Sequence, residues 1–312
     1  MVMVSEFSLW TPSLQPDILN KEDSFGNIEW DYLTFINKIY EPLRQKYPDY
    51  IKKHFIGVDT SGAYEMWAYE FAPKEYTKTV YIQSGVHAIE TDAYFGLARL
   101  LTLIADRADE RLSFIRDNIR LLVVPVVSVY GLKTKGSYEK IMGSNRYHYD
   151  HNFAKVNANR DFFEQKANET KNVVNFIKKY ANEICFAIDC HSTTDVVLGA
   201  YLLPYSDGMP KGIAQKLKNI NLALYKKYPT QTPLLFMGEE KDYPTGSLTT
   251  TYNAGITAMF GIYAVTLEHN DYIYDNQLGT QIAITKAVEL IGNHLIQISE
   301  DNDFSQISHR SY

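Results

Sequence analysis

Short apolar runs recur along this chain and alternate with segments of helical character. The longest is Arg120 to Val129 (RLLVVPVVSV), and others are Thr79 to Gly85, Ile184 to Cys190 and Ile262 to Glu268. A strand that is apolar at consecutive positions is covered on both faces, as in a parallel sheet flanked by helices. The pattern therefore predicts an α/β fold with a mixed, mostly parallel twisted sheet between helices.

Helical spacing of apolar residues predicts the segments between and around these runs. We expect helices over residues 30–47, 91–105, 170–182, 212–227 and 279–299. Pro42 should kink or shorten the first of them, because proline lacks the amide hydrogen that a helix interior needs. Before the first apolar run, HFIGV and AYEMWAYEFAP alternate around the turn Asp59 to Gly62, which predicts an antiparallel hairpin.

Composition excludes several classes of protein. The chain has 31 basic and 37 acidic residues and a net charge of −6, so it lacks the basic excess of a phosphate-binding surface, and no nucleic acid partner is expected. Its longest aliphatic stretch, Leu121 to Val127, is far shorter than the roughly 20 residues that span a bilayer. The N-terminal sequence has no signal-peptide pattern, so we expect a cytoplasmic protein without membrane contact.

The two cysteines, Cys185 and Cys190, are not expected to form a disulfide with each other. On one strand, an offset of five residues places them on opposite faces and about 16 Å apart, at about 3.3 Å per residue. A disulfide needs Cα atoms within about 7 Å. Both are therefore predicted to be small buried side chains in a reducing compartment.

Metal-binding and acidic residues follow three of the predicted strands. His87 and Glu90 come after the first apolar run, His191 follows ICFAIDC, and Glu268 ends IYAVTLE. In open α/β sheets, chemistry usually occurs at the carboxyl ends of strands. Two histidines and a glutamate with an open fourth position form a catalytic zinc site, and a carboxylate outside the ligand set can serve as general base. The spacing therefore predicts a zinc hydrolase.

These residues belong to a longer ordered pattern. It consists of His87-Ala88-Ile89-Glu90, Arg146 in SNRY, Asn159-Arg160 in VNANRDF, His191 in DCHSTT, Tyr243 in DYPTGS and Glu268 in TLEHND. In this order the chain resembles the zinc carboxypeptidases of the carboxypeptidase A type, within the wider superfamily that includes succinylglutamate desuccinylase and aspartoacylase. The resemblance runs from about Thr79 to Asn270, and the hairpin also resembles the opening strand pair of the family.

The resemblance implies a role for each residue of the catalytic centre. One zinc ion per chain would be held by His87, Glu90 and His191. Glu268 would take a proton from the attacking water and return it to the leaving amine. Arg146 would polarise the scissile carbonyl and stabilise the oxyanion.

The resemblance also implies a substrate-binding set. Arg160 would bind the terminal carboxylate of the substrate with its planar guanidinium, and Asn159 would add a hydrogen bond. Tyr243 would close over the substrate from the loop GEEKDYPTG. The expected ligand is a peptide or an N-acyl amino acid that carries a free carboxylate.

Several positions depart from the family pattern. Asn157 stands where family members often carry an aspartate that orients a zinc-binding histidine, so the residues behind the metal are altered. Ile89 replaces a common arginine, and Ser128 to Gly131 replace the usual Asn-Pro-Asp-Gly segment. The region that sets side-chain preference, SLTTTYNAG, carries no charge, which disfavours a charged terminal residue as substrate. The chain is therefore expected to be a divergent member.

A rival metal set consists of His148 and His151, with Asp150 between them. Two histidines three residues apart could bind a metal from a loop, but no third ligand at a strand end accompanies them. We favour a polar loop that lines the pocket. His54, His294 and His309 have no partner pattern and are expected to have surface or core roles.

Three functions remain to be compared. The first is a zinc metallocarboxypeptidase that removes a C-terminal residue from a peptide. The second is a zinc amidohydrolase that cleaves N-acyl amino acids, with which DCHSTT and NRDF agree well. The third is a metal-free binding protein on the same fold, which the retention of Glu268 and all three ligands disfavours.

Length by itself suggests two domains, at about 150 residues per domain. However, the predicted site extends from His87 to Glu268, and no division near the middle of the 312 residues could keep it within one half. We therefore expect a single catalytic domain over residues 1–312. An N-terminal helix and hairpin, at about residues 1–77, should pack onto it.

Overall fold

The computed structural model describes residues 8–12, 31–88, 90–133, 153–154, 156–193, 199–201, 209–228, 252–270 and 277–304. Within these ranges the strands are β1 (Ile51–Val58), β2 (Glu65–Phe71), β3 (Lys78–Ser84), β4 (Ile119–Val124), β5 (Ile184–Thr193), β6 (Gly199–Tyr201) and β7 (Ala264–Asn270). The helices are α1 (Tyr32–Phe35), α2 (Glu41–Lys46), α3 (Thr91–Ala105), α4 (Glu110–Asn118), α5 (Val129–Lys133), α6 (Asn168–Tyr180), α7 (Lys211–Lys227), α8 (Tyr252–Phe260) and α9 (Gln277–Glu300). Short 3-10 turns cover Ala158–Arg160 and Asn302–Phe304.

All seven strands join one mixed sheet in the order β1-β2-β4-β3-β5-β7-β6. The four central strands, β4, β3, β5 and β7, are parallel to one another, whereas the pairings β1–β2, β2–β4 and β7–β6 are antiparallel. Every residue of β3 and β4 is buried, as expected for strands covered on both faces. The predicted mixed α/β sheet is confirmed, and its parallel part is confined to these four strands.

The parallel register determines which residues meet at the carboxyl edge of the sheet. Gln83 on β3 lies opposite Asp189 on β5, and His191 on β5 lies opposite Glu268 on β7. His87 is the third residue after the end of β3. Three segments far apart in sequence therefore bring their polar residues to the same edge.

The predicted first helix is present, with an irregularity at its proline. A π-helical turn, Ile36–Tyr40, joins α1 to α2, and Pro42 lies in the first turn of α2. Proline lacks an amide hydrogen and its ring crowds the carbonyl of the preceding turn, so the wider π turn accommodates it without ending the helix. The predicted hairpin is also confirmed, with β1 antiparallel to β2.

The turn of this hairpin is organised by Asp59. Its Oδ1 accepts a hydrogen bond from the Tyr64 amide at 2.9 Å, and its Oδ2 accepts one from the Ser61 hydroxyl at 2.6 Å. Gly62 has a φ of 76°, a conformation that glycine adopts without steric cost. The hairpin places β2 against β4 and so extends the central sheet on one side.

Helix α9 packs along α3 and is fixed at its end by a buried lysine. A Cβ atom on Gly96 would meet the Cβ of Ala287 at 2.4 Å, so a glycine is needed where these two helices approach. The Nζ of Lys78, at the start of β3, donates to the carbonyls of Ile298, Ser299 and Asp301 at 3.0, 2.8 and 2.6 Å. These carbonyls at the helix end lack backbone donors, and the lysine supplies the hydrogen bonds. No helix in the described ranges is long and apolar enough to cross a membrane.

His294 in α9 is expected to make the fold sensitive to acid. It is fully buried, its Nδ1 donates to the Leu290 carbonyl at 2.8 Å, and burial lowers its pKa from 6.5 to about 4. The unfolded chain therefore binds a proton that the folded chain excludes between pH 6.5 and pH 4. The contribution of His294 to the unfolding free energy is fully present above pH 6.5 and decreases as the pH falls towards 4.

The wild-type chain is expected to lose unfolding free energy between pH 7 and pH 5, because His294 excludes a proton in the folded state. We predict that this loss is about 2 kcal/mol smaller in His294→Gln. Glutamine can still donate to the Leu290 carbonyl but does not titrate. Urea unfolding of both chains at the two pH values measures the effect. An identical pH dependence in the variant would show that His294 does not exclude the proton.

Candidate metal and catalytic site

Three of the predicted site residues form a compact cluster at the carboxyl edge of the sheet. They are His87, Glu90 and His191. Each offers one ligand atom, and the three atoms lie within 4.8 Å of one another. Nδ1 of His87 is 2.6 Å from Oε1 of Glu90, and Nδ1 of His191 is 2.9 Å from Oε2. The two imidazole rings are edge to face, with centroids 5.0 Å apart. The glutamate carboxylate thus lies between the two histidines.

The loop that carries His87 is held in place by the segment that follows β4. Gly85 turns the chain with a φ of 60°, and a Cβ there would come within 2.9 Å of Val126. The Ser84 hydroxyl donates to the Pro125 carbonyl, and the Ser128 hydroxyl donates to the Val86 carbonyl, both at 2.6 Å. Ser128, in the segment that departs from the family pattern, therefore fixes the backbone just before the first histidine.

Other groups of the protein orient Glu90 and His191. Oε2 of Glu90 accepts a hydrogen bond from the Ser192 backbone amide at 3.1 Å, which ties the loop to β5. Nε2 of His191 lies 3.0 Å from Oδ2 of Asp189. The His191 carbonyl is 3.0 Å from Nδ1 of His269, which connects this position to β7.

The electrostatics of the cluster favour a cation. Burial would raise the pKa of Glu90, but His87 and His191 outweigh it and lower the pKa to about 2. Burial would lower the pKa of His191, but Asp189 and Glu90 outweigh it and raise the pKa well above its usual value. The glutamate therefore stays ionised over the physiological pH range and can bind a positive charge.

One atom of the cluster gives a test of whether a metal ion fits. Nδ1 of His191 is buried and, within the described residues, has no aligned hydrogen-bond partner, although Oε2 of Glu90 is 2.9 Å away. Two lone-pair-bearing atoms at this distance repel unless a proton or a metal ion lies between them. Two imidazole nitrogens and a carboxylate are also a donor set typical of catalytic zinc. The residues therefore fit a zinc ion.

Glu268 is beside the cluster but outside it. It is the cross-strand partner of His191, and its Oε2 is shielded from solvent and has no hydrogen-bond partner in the described part of the chain. Burial raises the pKa of Glu268 to about 7, with His191 opposing the rise and Glu90 adding to it. Such a carboxyl group can accept and return a proton near neutral pH.

Asn159 and Arg160 lie in the 3-10 turn Ala158–Arg160, which precedes α6. The Asn159 side chain is buried, and its Oδ1 accepts a hydrogen bond from the Tyr252 amide at 3.3 Å, at the start of α8. This leaves the amide NH2 end of Asn159 as a donor. Arg160 is half-buried and one of its terminal nitrogens donates to the Asn159 carbonyl at 2.9 Å. Through α8, this turn is connected to β7 and Glu268.

Other predicted residues lie outside the described ranges, namely Arg146, Tyr243 and the rival pair His148 and His151. Asn157 is described, and its Oδ1 is buried without a hydrogen-bond partner among the described residues. The two cysteines are both free, with Cys190 buried and Cys185 partly exposed.

Comparison with known proteins decides the family. A model described as zinc carboxypeptidase matches residues 36–309. The chain belongs to the zinc carboxypeptidase family. This family uses zinc, and His87, Glu90 and His191 form a cluster that could bind the metal. The predicted resemblance is confirmed, and membership identifies the chain as a hydrolase of the metallopeptidase class.

Solved structures of carboxypeptidases share the fold at low sequence identity. Carboxypeptidase A from Helicoverpa armigera has a TM-score of 0.64 and 13% identity, over 89% of this chain and 76% of that chain. A metallo-carboxypeptidase from Burkholderia cenocepacia has a TM-score of 0.62 and 16% identity, over 85% and 69%. A metallo-carboxypeptidase from Pseudomonas aeruginosa has a TM-score of 0.60 and 12% identity, over 86% and 69%. Among curated proteins no match is found.

Sequence reasoning misses the polar residues beside the cluster of His87, Glu90 and His191. Asp189 and Gln83 stand within apolar strands in the sequence, and both are fully buried at the site edge. The alternation of side chains along β5 could have identified Asp189. Residues two apart on a strand share a face, so Asp189 lies on the same face as His191.

Proposed function

We propose that this zinc carboxypeptidase family member hydrolyses the C-terminal amide bond of peptides, with Glu268 as general base. The observation that carries the proposal is the position of Glu268. It is a shielded carboxyl group with a pKa raised to about 7, directly across the strand pair from the buried His191. A carboxylate that can exchange a proton near neutrality, beside a metal-ligand set, suits amide hydrolysis.

In the proposed site, the metal ion is bound by His87, Glu90 and His191. When bound, zinc supplies a Lewis acid that polarises a carbonyl group and makes a water molecule more acidic. Glu90, with its low pKa, supplies negative charge, and each of the two histidines supplies a ring nitrogen. The Ser192 amide holds the glutamate in place during the reaction.

In the proposed reaction, Glu268 accepts a proton from the attacking water and later donates it to the nitrogen of the leaving amino acid. Its raised pKa supports both transfers, because the proton is neither held too tightly nor released too readily near pH 7. Arg146 is proposed to stabilise the oxyanion, and Tyr243 to cover the bound substrate.

Asn159 and Arg160 are proposed to bind the free carboxylate of the terminal residue. A guanidinium group matches a carboxylate with two parallel hydrogen bonds. The hydrogen bond from the Tyr252 amide to Asn159 supports this role, since it fixes Oδ1 as the acceptor and makes the NH2 group the donor end of the side chain. The P. aeruginosa relative was solved with a succinic acid derivative, a ligand that carries carboxylates.

A substrate screen with the zinc-loaded full chain tests the proposed function. Short peptides and N-acyl amino acids are incubated in parallel, and released amino acids are identified by mass spectrometry. We expect release of the C-terminal residue from peptides. Cleavage restricted to N-acyl amino acids would favour the deacylase alternative instead. No cleavage of either class by a zinc-containing chain would favour a binding function.

Arg160→Ala should weaken binding of substrates that have a free carboxylate. Hydrogen bonds to charged groups contribute about 1.5–3 kcal/mol, so KM is expected to rise roughly 10- to 100-fold. A C-terminally amidated peptide serves as the matched substrate and should respond much less. Arg160→Lys is the matched variant: it keeps the charge but not the planar fork, and an intermediate KM is expected. Equal KM values for wild type and Arg160→Ala would contradict the assigned role.

A further inference from the structure

Asp189 lies directly behind one of the three clustered ligand residues. It is two residues before His191 on β5, so both side chains are on the same face of the sheet. Oδ2 of Asp189 is 3.0 Å from Nε2 of His191, whereas Nδ1 of the same ring faces Glu90 at 2.9 Å. The imidazole is thus held between two carboxylates on opposite sides.

This contact selects which nitrogen of His191 carries a hydrogen. A carboxylate oxygen only accepts, so Nε2 must be the donor to Asp189. In the neutral ring, a hydrogen on Nε2 leaves the lone pair on Nδ1, the nitrogen that faces Glu90. The pairing therefore presents the ring to a metal ion in the form that can coordinate it.

Asp189 is itself held in position from β3. Its Oδ1 accepts a hydrogen bond from Nε2 of Gln83 at 3.1 Å, and Oε1 of Gln83 accepts one from the Tyr81 hydroxyl at 2.7 Å. All three residues are at most 1% exposed. The series Tyr81, Gln83, Asp189 and His191 is a continuous buried chain of hydrogen bonds across two central strands. It fixes both oxygens of the carboxylate and thereby the plane of the imidazole.

The carboxylate has no conventional counter-ion to explain its burial. Among the residues that the structure describes, no lysine or arginine pairs with Asp189, and its ionic partner is His191. A buried carboxylate whose ionic partner is a histidine, and not a permanently charged lysine or arginine, is costly for folding. Asn157, at the position expected from the family to carry an orienting aspartate, provides no carboxylate. The chain thus retains a costly buried charge behind His191.

We propose that Asp189 is a positioning residue for the metal site, which orients His191 through its Nε2 and strengthens its Nδ1 as a ligand. Gln83 and Tyr81 hold Asp189 for this purpose. The inference rests on the proposed function, because it requires His191 to be a metal ligand. It assigns the supporting carboxylate of this chain to β5.

The test measures the dissociation constant for zinc of the full chain by competition with a chromophoric chelator. Removing a partner behind a metal ligand typically costs 10- to 100-fold in affinity. We expect about a 10-fold loss for Asp189→Asn, which keeps the shape and one acceptor, and up to about 100-fold for Asp189→Ala. Nitrogen NMR of histidine-labelled zinc protein should show His191 with its hydrogen on Nε2 in wild type and a shifted, faster-exchanging signal in Asp189→Ala.

Cys190→Ala is the matched control. Cys190 is the buried neighbour of Asp189 on the same strand, and alternation directs its side chain to the opposite face of the sheet. It should lose thermal stability but keep its affinity for zinc. If Asp189→Ala does not fold, the nearly isosteric Asp189→Asn decides the question.

The outcomes separate the two proposals. Zinc binding by wild type with an affinity unchanged within twofold in the Asp189 variants would overturn this inference alone. An equal loss of affinity in Cys190→Ala would also overturn it, because the effect would then come from a disturbed strand. A wild-type chain that binds no zinc would overturn the proposed function and this inference with it.

Discussion

Glu268→Gln is expected to reduce kcat at least about 100-fold, the lower bound for loss of a general acid–base group, while zinc affinity stays close to that of wild type. Glutamine has the same shape as glutamate but cannot take a proton from water. Glu268 is the cross-strand partner of His191 and is not one of the three clustered residues that could hold a metal ion, so its replacement leaves the proposed metal donors intact. Steady-state kinetics on a cleaved substrate, together with the zinc content of the same preparation, measure the two effects separately.

Glu289→Gln provides the matched control. Glu289 is a buried glutamate in α9 that pairs with Lys227 at 2.8 Å and is not a member of the metal-ligand cluster. Its replacement should reduce stability and leave kcat unchanged. A Glu268→Gln enzyme with a kcat within about threefold of wild type would rule out the general-base role, since that role contributes at least 100-fold. A variant that also loses its zinc would show instead that Glu268 supports the ligand set.

The central sheet was predictable because burial on both faces leaves a simple pattern in the sequence. Strands β3, β4, β5 and β7 coincide with the predicted apolar runs. Their ends were less predictable. Strand β5 continues beyond Cys190 to Thr193 because its pairing with β7 continues, so His191 lies within the strand and not after it.

The elements that were missed have weak patterns. Helix α4 (Glu110–Asn118) buries only Leu112 and Ile115, exposes Phe114 and is otherwise polar, so its apolar period is too short to recognise. Helix α8 (Tyr252–Phe260) is buried at most positions, so it has no polar face to reveal a helical period. Strand β6 is three residues long, and within the described ranges it pairs with β7 alone.

The candidate site was likewise predictable in part from the sequence. The approach of His87, Glu90 and His191 follows from parallel strands that end at one edge, which the sequence indicates. The hydrogen bonds that orient them depend on register, because Gln83 reaches Asp189 only when β3 and β5 align these two residues. Register comes from packing across the sheet, and one sequence by itself does not define it.

Glu90→Gln is expected to reduce zinc affinity by at least about 100-fold, because structural zinc binding of about 10–16 kcal/mol is shared among only a few ligands. Glu90 is the one acidic member of the cluster and lies between the two histidines. The amide oxygen of glutamine can still accept the hydrogen bond from Ser192, so the backbone should remain in place while the negative charge is lost. Thermal unfolding with and without added zinc gives the readout, since a ligand present at 1,000 times its Kd stabilises the folded chain by about 4 kcal/mol.

Glu169→Gln is the matched control for this measurement. Glu169 is a fully buried glutamate in α6 whose pKa is raised by burial, and its Oε2 accepts a hydrogen bond from the Thr60 amide at 3.3 Å, near the hairpin turn. It should retain the full stabilisation by zinc, whereas Glu90→Gln should lose most of it. Equal stabilisation of Glu90→Gln and wild type would place the zinc elsewhere on the protein. Absence of zinc stabilisation in wild type itself would favour a binding protein on the carboxypeptidase fold, because catalysis by this residue set requires the metal.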